Sequence, residues 1–80
     1  MITPMLKTGP QVREDVYAYN VIRVAAAFHV MHGTIVFNVS VGRSPEMMVR
    51  VGGPRHAMLE REAFEWGFAI GRAKIDGLIS

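Results

Sequence analysis

The sequence predicts an α+β fold in the order α-β-β-β-α: a short N-terminal helix, a three-stranded antiparallel meander, and a long C-terminal helix packed on one sheet face. Three observations predict it. Residues 24–41 match themselves across a turn, because with His32-Gly33 at the bend Val24, Ala26, Phe28 and Val30 fall opposite Val41, Val39, Phe37 and Ile35. Residues 46–51 alternate again after the turn Gly42-Arg43-Ser44-Pro45, with Met47, Val49 and Val51 inwards and Glu46, Met48 and Arg50 outwards. Further on, Leu59, Ala63, Trp66, Ile70 and Ala73 form one helical stripe, a natural lid for the inward face.

Thr8-Gly9-Pro10-Gln11 has capping-box spacing with proline in the first turn, so it predicts a short helix over residues 10–20. Val12, Val16 and Tyr19 share a face of that helix, and Asn20 suits its end. Residues 21–31 carry two patterns. Ala25-Ala26-Ala27 favours helix, and Tyr17, Val21, Val24, Phe28 and Met31 keep helical spacing, which leaves α-β-β-α as the alternative architecture. The match across the bend favours strand. Residues 34–41 are the clearest strand, with Ile35, Phe37, Val39 and Val41 on one side. Gly52-Gly53-Pro54 then predicts the start of a helix running to residue 74, stopped at Asp76-Gly77. Ala63, Gly67 and Gly71 recur every four residues and leave a groove along it for close packing. Phe64, Phe68 and Ile75 form a second stripe, which makes a homodimer through those residues an expectation.

Eighty residues make one domain, 1–80, with residues 1–8 read as an arm ahead of it. A chain of this length buries only roughly 60 to 65% of its unfolded surface, so the core is thin. Half the residues are hydrophobic and a fifth are charged, which places the chain among folded domains. Cysteine is absent, excluding a disulfide framework or thiolate metal site. No apolar run reads as a signal or a membrane span, so a cytoplasmic location is expected. Nine basic residues against seven acidic ones give a net charge of +2, too even to signal a nucleic-acid binder.

Catalytic constellations are not evident. His29 and His32 lie three apart on a strand entering a turn, which sends them in different directions, and His56 reads as a helix-start residue paired with Glu60. Glu60, Glu62 and Glu65, with Arg61 placed to pair with Glu65, read as a solvated helix face. Ser40, Ser44 and Ser80 lack a nucleophile-elbow context, and Gly52-Gly53-Pro54-Arg55 lacks the lysine of a phosphate loop. The expectation is a non-enzyme without metal or cofactor. Arg43, Arg50 and Arg55 stand out more, since their places in turn, sheet and helix start would let them meet around one edge and grip anions. The outward sheet face carries Ala25, Ala27, His29, Val36, Asn38, Ser40, Met48 and Arg50, flatter and more apolar than an ordinary solvent face. With Arg43 and Arg55 beside it, this face is the expected partner-binding surface, unless the arm folds across it.

The element order over residues 10–74 is similar to that of double-stranded-RNA-binding domains. That family places lysines at the start of its last helix, where this chain has Arg55-His56 and then Glu60, Glu62 and Glu65, and its first inter-strand loop is longer than Met31-His32-Gly33. Its RNA-binding residues are therefore not carried over. In class the chain resembles small cysteine-free α+β inhibitors encoded by phages, anti-CRISPR proteins among them, which occlude a surface of a host complex. The expected function is steric occlusion of a larger protein or nucleoprotein. The alternative is a nucleic-acid module contacting phosphates through Arg43, Arg50, Arg55, Arg72 and Lys74.

Overall fold

Strand structure begins earlier in the chain than the sequence predicts. The computed structural model describes residues 10–79, and its first element is a strand, β1 (Gln11–Tyr17). It is followed by β2 (Asn20–His29), β3 (Thr34–Gly42), a 3-10 turn at Pro45–Met47, the short strands β4 (Val49–Arg50) and β5 (Arg55–Ala57), and one helix, α1 (Glu60–Ile75). All pairings are antiparallel. β1, β2 and β3 lie side by side in chain order, and the far edge of β3 is divided, β4 pairing Ser40 and Val41 while β5 pairs Ile35, Val36 and Phe37. The fold is thus α+β with an antiparallel sheet and a C-terminal helix. The predicted helix over residues 10–20 is corrected to β1, and with it go the α-β-β-α alternative and the likeness to double-stranded-RNA-binding domains, whose order opens on a helix. The arm, residues 1–8, lies outside the described residues.

A tight turn explains the first correction. Ala18 and Tyr19 both hold positive φ, 50° and 65°, the two-residue geometry that matches the twist of an antiparallel hairpin. The Asn20 side-chain amide donates to the Ala18 carbonyl at 2.9 Å, fastening the bend. Tyr17 is tied at the same end, its hydroxyl donating to the Asp76 carboxylate oxygens at 3.0 and 2.8 Å. That hydrogen bond, with a smaller contribution from desolvation, holds the phenol above its ordinary pKa of 10.0.

The second hairpin forms as expected in kind but not in register. Ile22 faces Val41, Val24 faces Val39, Ala26 faces Phe37 and Phe28 faces Ile35, a shift of two residues from the predicted pairing. The bend accordingly spans residues 30–33 rather than His32-Gly33 alone, with the Gly33 N–H donating to the His29 carbonyl at 2.8 Å. An even shift leaves every side chain on its predicted face. Of the strand predicted over residues 46–51 only Val49–Arg50 is strand, residues 46 and 47 belonging to the 3-10 turn; Met47 and Val49 are exposed and Val51 alone of the three is buried.

α1 lies across β2 and β3 on one face. Its start is later than predicted because residues 55–57 pair with β3 first. The buried stripe is also different: Ala63, Phe64, Gly67 and Gly71 face the sheet, whereas Leu59 and Trp66 stand 49% and 46% exposed. The glycines decide this. A Cβ at Gly67 would fall 2.6 Å from Cγ1 of Val24, and one at Gly71 would collide with Ile22, so the helix backbone sits directly on the sheet's branched side chains. Ile22, Val24, Ala26, Phe37, Val39, Val51, Ala57, Ala63 and Phe64 complete the core. Phe64 is thus interior, and Phe68 and Ile75 are partly buried against the core.

Candidate partner-binding face

With one helix on one side, alternation leaves the opposite side of the sheet uncovered by any described element. The register sets its rows. Val16 lies beside Val21, Glu14 beside Arg23 and Ser40 and then Arg50, Val12 beside Ala25 and Asn38, and Ala27 beside Val36 and His56. Ala25, Ala27, Val36 and Asn38 give one part of the face small, short side chains, flat enough for close approach, next to the charged row of Glu14 and Arg23. Val12 and Val16 extend it to the β1 edge at 55% and 70% exposure. One ion pair crosses it, Arg23 Nε donating to Glu14 Oε2 at 2.6 Å. The Asn38 amide oxygen is screened from solvent and accepts no hydrogen bond from the described residues.

Of the predicted site residues, Ala27, Val36 and Asn38 lie together at the centre, with His29 one row further out beside Thr34. Arg50 joins the same face through its pairing with Ser40. Met48 is half-buried between the 3-10 turn and β4, and Arg43 is exposed just after β3. Arg55 departs from the prediction. Paired with Phe37, whose side chain is in the core, it belongs to the helix side, and its guanidinium lies close to Gly52. Arg50 and Arg55 therefore occupy opposite faces, and the three arginines do not share a single patch.

The histidines also depart from the prediction, in the opposite direction. His29 and His32 approach edge to face with ring centroids 4.3 Å apart, and His56 stacks on His32 at 5.4 Å with an interplanar angle of 9°. His56 stands on β5 rather than on a helix, and its Nδ1 shares a hydrogen bond of 3.0 Å with the Thr34 hydroxyl. The longer bend folds His32 back over its neighbours, which a two-residue turn would forbid. Stacked rings offer their faces rather than convergent nitrogen lone pairs, and among the described residues no group of three metal-ligating side chains is placed to hold an ion.

On the helix side, Arg13 lies over the Phe64 ring at 4.2 Å, within cation–π range. Arg13, Glu60, Arg61, Phe64, Glu65 and Phe68 line a shallow groove there. Among the described residues no helix is long and apolar enough to cross a membrane. Compared with protein-family models, curated proteins and solved structures, the chain matches none.

Proposed function

We propose that the chain is a non-enzymatic protein-binding module that docks its uncovered sheet face on a larger protein or nucleoprotein and acts by covering that surface. The carrying observation is the asymmetry of the sheet: one face is sealed by α1 through glycine contacts, and the other presents Val12, Ala25, Ala27 and Val36 in adjacent rows, with the Glu14–Arg23 pair separating them from Val16 and Val21. A flat, partly apolar face left without a packing layer is a feature of partner surfaces on small proteins. Inhibition by occlusion, as practised by small phage inhibitors of host complexes, is the sharpest form of this reading. The nucleic-acid alternative draws less support, because Arg50 and Arg55 are on opposite faces and the acidic side chains of Glu60, Glu62 and Glu65 follow Arg55 along the chain.

Capture from extracts of the native host with wild-type chain and with an Ala27→Glu, Val36→Glu variant tests it. A bound partner should be lost with the variant, whose fold, read by circular dichroism, persists. Retention of the same partner by the folded variant overturns the docking face. Binding that collapses by about a thousandfold between roughly 50 and 200 mM salt would instead select the phosphate-binding alternative.

A further inference from the structure

We propose that the open edge of β1 pairs, antiparallel and centred on Glu14, with β1 of a second copy of this chain. The two-residue bend is closed by a hydrogen-bonded pair, Tyr17 with Asn20, so the pairs along β1 alternate from there. Tyr17, Asp15, Arg13 and Gln11 exchange bonds with β2. The backbone groups of Val16, Glu14 and Val12 then point to the other edge, which no described element covers. The Val16 N–H confirms that direction, for it donates to its neighbour's carboxylate, Asp15 Oδ1, at 2.9 Å instead of to a strand.

The side chains select the register. Centred on Glu14, two copies bring Val12 against Val16 on the outer face and Arg13 against Asp15 on the helix side, each twice by symmetry. The outward-pointing residues, Val12, Glu14 and Val16, then all meet one another, as a ladder requires. A shift by one residue sets outward groups against inward ones and loses the bonds. A shift by two puts Arg13 against Arg13 or Asp15 against Asp15. Glu14 meets its own copy, and each carries its ion pair with Arg23 at 2.6 Å, which offsets the like-charge contact. On pairing, the Val16 N–H passes from Asp15 to the second copy's Val12 carbonyl, and the freed Asp15 turns to the second copy's Arg13. Both helices lie on the same side of the joined sheet, and the two outer faces become one surface.

Sedimentation of the whole chain over a concentration series tests this without any other partner, so its failure leaves the docking face standing. Wild type should dimerise. Asp15→Arg alone and Arg13→Asp alone each set like charges opposite one another and should raise the dissociation constant about tenfold or more. Mixed in equal amounts, those two single variants are complementary and should recover association as a heterodimer. Val16→Pro, which removes an outward N–H and no β2 bond, should abolish dimerisation while the fold persists. Wild type that stays monomeric at every concentration overturns the proposal, as does association unchanged in Asp15→Arg and Val16→Pro or a folded pair of single variants that fails to recombine. Should Arg13→Asp not fold, Asp15→Arg and Val16→Pro decide the matter.

Discussion

The two faces of the sheet are made from the same strands yet obey different rules. On the covered face Ile22, Val24, Phe37 and Val39 are the largest fully buried side chains, and α1 reaches them by giving up side chains of its own at Gly67 and Gly71. On the open face the strands carry alanine, serine, asparagine and valine around the Glu14–Arg23 ion pair, and nothing described packs on them. Buried and uncovered positions are thereby separated by one residue of alternation, so substitutions one position apart should have effects of different kind.

The largest expected effect is at Phe37. Phe37→Ala empties the middle of the covered face and should lose about 3–5 kcal/mol in urea unfolding, enough to unfold a small domain, whereas Val36→Ala next to it should leave the fold intact. Next is Gly67→Leu, which drives a side chain into Val24 and should lose about 1–3 kcal/mol or more. The same residue introduced on the open face, Ala27→Leu, should change stability by no more than about 0.5 kcal/mol, and a comparable loss there would erase the distinction between the faces.

The bend joining β1 to β2 offers a gain instead of a loss. Ala18 and Tyr19 sit at positive φ without being glycine or asparagine, a conformation unfavourable by about 1–2 kcal/mol per residue for ordinary side chains. Ala18→Asn with Tyr19→Gly should raise the melting temperature, by an amount equivalent to about 1 kcal/mol. Smallest is the effect of Tyr17→Phe, which removes the hydrogen bond to Asp76 and with it a pH dependence. Because the folded state holds the Tyr17 phenol protonated, its contribution is whole below pH 10.0 and is lost as pH rises past that value through the folded pKa. The phenylalanine variant should lack that alkaline component in a stability profile.

Much of this was legible in the sequence where one face is buried and little where neither is. β2 and β3 show alternation because α1 removes every second side chain from water, and parity survived even though the pairing is displaced by two residues. β1 is an edge strand exposed on both sides, so Val12, Arg13, Glu14, Asp15 and Val16 show no period of two, and the bend lacks the Asn-Gly signal that would have marked it. The outer cluster of Ala27, Val36 and Asn38 could be placed for the same reason as the core opposite it. The stacking of His29, His32 and His56 could not, because it depends on the length of the bend, which parity does not constrain. α1 misled in a different way: the bulky stripe of Leu59 and Trp66 looked like the lid, but close approach favoured the face with the least volume.

The divided far side of the sheet carries a consequence of its own. β4 and β5 are two and three residues long and are separated by Gly52-Gly53-Pro54, so that margin gives an incoming strand almost no template. A sheet with two long bare margins invites stacking without limit into fibrils. Among the described residues lateral growth is available on one side alone, and the proposed symmetric pair would use it up, which should keep the protein dispersed at concentrations where a two-sided sheet would precipitate.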